Sequence, residues 1–478
     1  MRLSGEIFRS STALLMGNAA NKVAGFFVMV IMARYLGPED FGLYTLVFSW
    51  VWLFSTPTDL GLTPIVGREL SQDPDRGRLA LGDSVLVRAA VSVLMYLGAV
   101  LTGVGAYGFS ARSGLVALAA TAILLTPLSS AMAVLTARLK LYRAAAAHLI
   151  SRVILLAAVG GLAVTGAGLP AFIGVEVGLG LAVAIFLWMD ARRLVRPEYR
   201  LSPGAIRRLV GEGIPLALSA AFISFYFRID VFVIEFFHGS EAVGTYAGAY
   251  RLVEAVPLLA TSLTVSTYPA LCRLIATGDQ HGLERLVRGS QKVLLAMAVP
   301  VSLIVAVYAG WIVDLLYNAS FVETPLALII LVCGQALVFS NILSSSILTA
   351  SGKGRRLMLV TMGMAGLNLV LNLLVVPRFG VPGAAATTLA TEAAGMVTLA
   401  YGTGTLGWFV RDGVRVMGAG ALLGVVIVLA GRFGIVGVWP VVPGALLFAV
   451  GLRVFGVFDA DEWLRLKRLI RPEAGYES

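Results

Sequence analysis

Charge is what this sequence has least of. Only 13% of its 478 residues are Asp, Glu, Lys or Arg, against about 25% in soluble globular chains. Hydrophobic residues make up 58% and the mean hydropathy is +0.88, so too few polar side chains remain to coat several soluble domains. Cysteine is also scarce. Cys272 and Cys333 are the only two, one at a helix end and one inside an apolar stretch, which excludes a disulfide framework. The three histidines, His148, His238 and His281, lie in separate regions and offer no metal-ligand spacing. No Gly-rich loop ending in Lys-Ser/Thr occurs, which excludes P-loop ATP hydrolysis. Connections between apolar stretches reach at most about 23 residues, too short for a soluble catalytic domain. Glycine is plentiful, at 53 residues, but has no three-residue period and so no collagen character.

What is present is a train of apolar stretches long enough to cross a membrane core, for which about 20 helical residues suffice. Fourteen are legible, at roughly 11–35, 42–67, 83–107, 113–137, 145–167, 170–190, 213–237, 243–272, 290–316, 325–349, 357–377, 382–408, 414–431 and 436–455. The fold class expected is therefore an all-α, polytopic membrane protein. No ten-residue apolar/polar alternation of a barrel appears. The first stretch runs about 24 residues with no A-x-A-like site after it, so it reads as a retained span and not a signal peptide. With the N-terminus inside, the cytoplasmic segments hold 27 of the 37 Lys and Arg, and the external segments hold three, Arg112, Arg378 and Arg432. That asymmetry places both termini in the cytoplasm. It also makes the net charge of +10 a topology signal and not a sign of nucleic-acid binding.

A repeat lies on either side of the longest loop. Gly37-Pro-Glu39-Asp-Phe-Gly42-Leu-Tyr44 and Gly239-Ser-Glu241-Ala-Val-Gly244-Thr-Tyr246 both read G-x-E-x-x-G-x-Y, offset by 202 residues, in the turn from a first span into a second. A second echo pairs Gly168-Leu-Pro170 with Gly380-Val-Pro382. Shared helix-cap chemistry would explain either match alone. Both, in register with the span count, predict an N-terminal six-helix lobe at 1–190, a cytoplasmic linker at 191–212 and a C-terminal six-helix lobe at 213–408. Two further spans at 409–455 and a basic cytoplasmic tail at 456–478 follow. Duplicated lobes inserted the same way round enclose a central cavity.

Ionisable groups inside spans are costly and point to function. The expected cavity cations are Lys22, Arg152, Arg228 and Arg251, with Asp59, Asp230 and Glu254 as coupling or charge-balancing acids. Arg251 and Glu254 stand i,i+3 and can pair directly, whereas Arg228 and Asp230 diverge on their helix. Arg34, Arg88 and Arg453 lie near span ends and are read as snorkelling to the headgroups. His148 and Arg152 fit that reading as well as a cavity one. Asn18 and Asn21 share the first span with Lys22. Asn368 and Asn372, i,i+4 on the eleventh, serve either to bridge helices or to line a cavity. Tyr226, Tyr246, Tyr250 and Tyr268 suit stacking on sugar rings but read first as interfacial anchors. Confined cations would compensate a phosphate or diphosphate for its lost water.

Ala33-Arg34-Tyr-Leu-Gly37-Pro-Glu39-Asp-Phe-Gly42-Leu-Tyr44, then Asp59-Leu-Gly61-Leu and Arg68-Glu69-Leu, resemble the opening of polysaccharide flippases of the Wzx/RfbX type. Arg228-Ile-Asp230 and the run from Asn368 through Pro377-Arg-Phe-Gly380-Val-Pro-Gly383 resemble the same family, over about residues 10–400. The resemblance implies the multidrug/oligosaccharidyl-lipid/polysaccharide (MOP) exporter fold, two six-helix bundles in a V that alternate between inward and outward openings. It implies transfer of a polyprenyl-diphosphate-linked oligosaccharide from the inner to the outer leaflet of the cell membrane. Helices 13 and 14 would line a groove for the lipid tail. Membrane lipids, a polysaccharide polymerase and chain-length machinery are the implied partners. No cofactor is expected beyond coupling to protons, sodium ions or the membrane potential. A peptidoglycan-precursor flippase and a cation-coupled drug antiporter are the alternatives within the superfamily. A membrane-embedded glycosyltransferase or polymerase is the alternative from another class, although the long external catalytic loop it needs is missing.

Overall fold

Apolar runs that must satisfy their own backbone groups away from water leave helix as the open-ended choice. Helices are the only regular elements among the described residues of the computed structural model. Those residues are 2–200, 203–432, 439–458 and Glu462, with side chains described at Gly17, over 20–200, at some positions of 203–223, over 224–430, over 439–458 and at Glu462. Among the described residues nine helices are long and apolar enough to cross a membrane, or ten when the pair Thr324–Cys333 and Gln335–Ala350, bent by 42°, is counted as one span.

Three of the long helical elements contain a reversal at a glycine: Arg2–Ser55 at Gly37, Ile229–Val253 at Gly239 and Gly354–Thr403 at Gly380. Side-chain pairs show the reversals. Asn372 bonds Thr387, and Asn368 bonds Thr391, each pair spaced evenly about Gly380. Asp230 accepts from Tyr246 across Gly239. Tyr35 reaches the Ala167 carbonyl, whereas Tyr44 reaches Glu176 inside the next helix, so the chain after Gly37 runs back alongside it. Three reversals raise nine helices to twelve crossings. The bent pair and the shorter Val441–Val454 helix bring the apolar segments among the described residues to fourteen, the number expected.

The first repeat holds at the level of the backbone. Gly37 (φ 74°, ψ 177°) and Gly239 (φ 79°, ψ −177°) adopt one conformation, which a side chain would strain. The second echo does not hold. Gly168 is extended (φ −79°) and precedes a helix that begins anew at Leu169, whereas Gly380 turns with φ 54° inside a continuous element.

Two spans expected as continuous helices are interrupted. The second passes through a 3-10 turn at Thr56–Asp59, then Leu60 (φ 47°) and Gly61 (φ 63°), and restarts as Leu62–Gln72. Pro57 cannot donate to the helical ladder. The fourth contains a 3-10 stretch, Thr121–Ser130, around Pro127.

The chain forms two compact units. One runs to Ala247 and includes Leu316–Phe321; the other comprises Gly248–Leu315 and the residues from Val322 onward. In the first, Val66, Leu70, Leu81, Val134 and Trp188 build an apolar cluster. In the second, Leu295, Val416, Leu423, Phe448 and Leu452 join the helices Gln280–Val307, Leu406–Arg432 and Val441–Val454. Small residues permit close approach there, a Cβ at Gly451 coming within 3.0 Å of Ala419. Lys292, one of the 27 Lys and Arg that the span map assigns to cytoplasmic segments, is instead 2% exposed within the Gln280–Val307 helix, donating to Glu462 at 2.7 and 3.0 Å. Both cysteines are free. Apart from residues 456–458 and Glu462, the expected basic tail lies outside the described residues.

Candidate functional site

Three helical faces and the 3-10 stretch wall a cavity of about 460 Å³ inside the first unit. Phe48, Val51, Trp52 and Ser55 stand at i, i+3, i+4 and i+7, and so do His148, Ser151, Arg152 and Leu155. Each set is one face of its helix. Glu176, Val177, Gly180, Val183, Ala184 and Leu187 supply the third wall, and Ser129 joins from the interrupted fourth span. Arg152 lies 11 residues into the Leu141–Val164 helix, about 17 Å along its axis.

The lining is mostly apolar, and its charges are paired. Arg152 Nη1 donates to Glu176 Oε1 at 3.2 Å, with the arginine 35% and the glutamate 18% exposed. The Tyr44 hydroxyl donates to the other Glu176 oxygen. Glu176 is thus clamped from two sides, and the guanidinium keeps part of its surface open to the cavity.

Behind the wall sits a second network. Arg88 Nη2 donates to Asp59 Oδ1 at 2.6 Å and to Thr63 at 2.8 Å, and Nη1 donates to Ser129 at 2.9 Å. The Thr63 hydroxyl donates to Asp59 in turn. This corrects the expectation that Arg88 snorkels: its side chain is 1% exposed. The helix break at Thr56–Gly61 is the reason, because Asp59 at the end of the 3-10 turn meets the next span. Asp59, expected to couple or balance charge, balances Arg88 and remains 40% exposed.

Arg228 lies over Trp52, its guanidinium carbon 4.6 Å from the ring centroid, in cation–π range. It therefore adjoins the cavity through the tryptophan. Asp230, two residues on, turns away and is buried, accepting from Tyr246 at 2.6 Å. Tyr246 is 2% exposed, which corrects its reading as an interfacial anchor. The repeat-related tyrosines, Tyr44 and Tyr246, thus share one role, each holding a carboxylate. The repeat-related glycines meet face to face. A Cβ on Gly42 would fall 1.7 Å from the Ser240 carbonyl oxygen, and one on Gly244 would fall 1.8 Å from that of Pro38.

The remaining expected residues lie elsewhere. Arg251 pairs with Glu254 at 2.9 Å, as the i,i+3 spacing predicts, in the second unit. Lys22 is exposed, and it does not line the cavity. Asn21 is half-buried, and the Asn18 side chain lies outside the described residues. Asn368 and Asn372 are buried and bonded to each other and to Thr391 and Thr387, bridging two spans in the second unit. Sequence reasoning assigned no role to Glu176, Tyr44, Trp52 or Ser129. Tyr44 carried a signal, since it closes the repeat motif. The i,i+4 placement of His148 and Arg152 carried another.

A helical bundle with broken spans, a part-open and mostly apolar cavity and ion pairs within the spans has the architecture of a polytopic membrane protein. Residues 7–275 match the family described as polysaccharide biosynthesis protein, and residues 215–374 match MatE. The first match covers more than half of the chain, and the protein belongs to that family. It is 23% identical over 399 residues to the probable low-salt glycan biosynthesis flippase Agl15 of Haloferax volcanii, covering 83% of each chain. It is 27% identical over 181 residues to the probable flippase AglR of the same organism, covering 36% of this chain and 37% of that one. Its fold is similar to that of the lipid II flippase MurJ in an inward closed conformation, with TM-score 0.75 and 13% identity, covering 96% of this chain and 99% of that one. An inward-facing MATE multidrug resistance transporter is similar at TM-score 0.64 and 13% identity, covering 82% and 96%. The fold is the one shared by these transporters of the MOP superfamily.

Proposed function

We propose that this protein flips a lipid-diphosphate-linked oligosaccharide, a precursor of surface polysaccharide, from the inner to the outer leaflet of the cell membrane. The observation that carries the reading is Arg152, part-exposed in a mostly apolar cavity and held by a carboxylate that a diphosphate can replace. Exchanging one anionic partner for another keeps the guanidinium compensated throughout, so entry of the charged headgroup does not strand a cation in low dielectric. A cavity of about 460 Å³ lies in the range that fits small ligands. It suits the diphosphate and the first sugar, with the rest of the glycan outside. Trp52 and Arg228 at the wall offer a ring face and a second cation.

Alternating access is supported by the repeat: equal backbone turns at Gly37 and Gly239, and reciprocal glycine contacts that only paired, similar halves would make. We read the lobes as 1–190 and 213–408, the last two spans as additional, and both termini as cytoplasmic from the positive-charge asymmetry. Delivery to a polysaccharide polymerase with chain-length machinery belongs with this reading. The drug-antiporter alternative is disfavoured, because the one cavity acid, Glu176, is already neutralised by Arg152.

Reconstituted in vesicles, the protein should move a fluorescent polyprenyl-diphosphate sugar between leaflets and leave it chemically unaltered. Hydrogen bonds to charged groups contribute about 1.5–3 kcal/mol, and 1.4 kcal/mol is about tenfold. Arg152→Ala and Arg228→Ala are each expected to slow flipping at least about tenfold, with the unfolding midpoint held near wild type. Rates unchanged in both variants would overturn the site assignment, and a chemically altered product would overturn the function.

A further inference from the structure

The charge asymmetry explains why arginines gather at one face of the bundle, but not why four of them share one cavity. Arg78, Arg138, Arg193 and Arg196 come from three separate connections and line a space of about 530 Å³ with a single acid, Glu198. Arg138 follows the Ala131–Ala137 helix, Arg193 closes the Leu169–Leu194 helix, and Arg196 lies just beyond. Positive charge is favoured at such helix ends, yet that preference asks for no convergence.

The framework of the cavity is fixed. Val195 is buried in the apolar cluster with Leu70, Val134 and Trp188. The Glu198 N–H donates to the Arg78 carbonyl at 3.0 Å. The Glu198 carbonyl in turn presses so close to Gly82 that a Cβ there would fall 2.0 Å from it. Arg78 is tied loosely to Asp75 and Glu198, at 3.7 and 4.0 Å. The guanidinium groups of Arg138, Arg193 and Arg196 have no hydrogen-bond or ion-pair partner among the described residues. Three arginines without side-chain partners thus line one space on a fixed frame, each carrying a planar fork of donors.

We propose that this cavity binds a phosphorylated headgroup, with the guanidiniums gripping its phosphoryl oxygens. Singly, exposed ion pairs contribute little. A ligand that engages several forks at once gains from all of them, and a phosphoryl group offers more acceptor oxygens to several forks than a carboxylate or a chloride does. The chemistry is shared by two sources, a lipid-linked diphosphate and an anionic phospholipid of the bilayer. The site stands on its own geometry and does not depend on the transport reading.

The test uses the full chain in nanodiscs of zwitterionic phosphatidylcholine, with inorganic pyrophosphate as the calorimetric probe. Saturable binding is expected, weakened at least about tenfold in Arg138→Gln/Arg196→Gln and tightened in Glu198→Gln. Each titration is run in the Arg152→Ala background, so pyrophosphate held in the transport cavity does not contribute, and a failed transport site and a failed headgroup site are told apart. Competition by phosphatidylglycerol in the nanodisc identifies a bilayer phospholipid as the occupant; competition by a short polyprenyl diphosphate identifies the lipid-linked source. Absence of saturable binding, or equal binding by wild type and the double variant when both unfold at the same midpoint, overturns the proposal.

Discussion

Leucine in place of Gly42 or Gly244 is expected to force the two repeat turns apart and to stop transport. A Cβ at Gly42 would sit 1.7 Å from the Ser240 carbonyl oxygen and 2.8 Å from the Gly244 nitrogen; at Gly244 it would sit 1.8 Å from the Pro38 oxygen. The obstacle is backbone on both sides, so no rotamer change relieves it. Overpacking typically costs about 1–3 kcal/mol, and each 1.4 kcal/mol shifts a two-state population about tenfold. The state in which the turns touch should therefore lose at least about tenfold in population, and a transport cycle that passes through it should slow to match. Spin labels replacing the exposed Glu39 and Glu241, with Cys272 and Cys333 first exchanged for serine, would report the separation. A longer distance with slower flipping in Gly42→Leu is the expected result, with Gly42→Ala intermediate. An unchanged distance and rate would show that the contact is incidental to the cycle.

Much of the span map was legible because hydropathy and length act locally. The crossings, the glycine turns and the Arg251–Glu254 pair all follow from spacing along the chain. The Tyr44 and Tyr246 roles were half legible: the motif marked the positions, but their carboxylate partners, Glu176 and Asp230, lie 132 and 16 residues away. Arg88 was misread because depth along a helix measures distance from its end and says nothing of the neighbour opposite. Its partner arrives from a helix break that Pro57 and Gly61 encode, and those two residues were hidden inside an apolar run. The Gly168 and Gly380 echo shows the converse, since like letters took unlike backbone paths once Leu169 began a new helix. The four arginines of the second cavity were counted as topology, and their convergence depends on packing between connections that sequence treats as independent.

Asp59→Asn is expected to destabilise the first unit more than Arg88→Met, although both break the same pair. Asp59 is 40% exposed and can turn to water when its cation is gone, whereas Arg88 is 1% exposed and would be left with the hydroxyls of Thr63 and Ser129. Removing one partner of a buried pair costs about 3–5 kcal/mol. Asparagine keeps an acceptor, so the lower end, about 3 kcal/mol, is expected. The double variant Asp59→Asn/Arg88→Met should recover most of that loss, because no buried charge then lacks compensation and methionine fills the arginine's path with flexible apolar bulk. Denaturant unfolding in detergent measures all three, and a double variant no more stable than Asp59→Asn would show that charge compensation is not the pair's contribution. Flipping should recover less than stability does. Arg88 also fixes Ser129, which lines the cavity, and methionine cannot donate to it. A double variant that is stable yet slow would separate the two duties of one guanidinium, neutralising the acid at the broken span and holding the cavity wall in place.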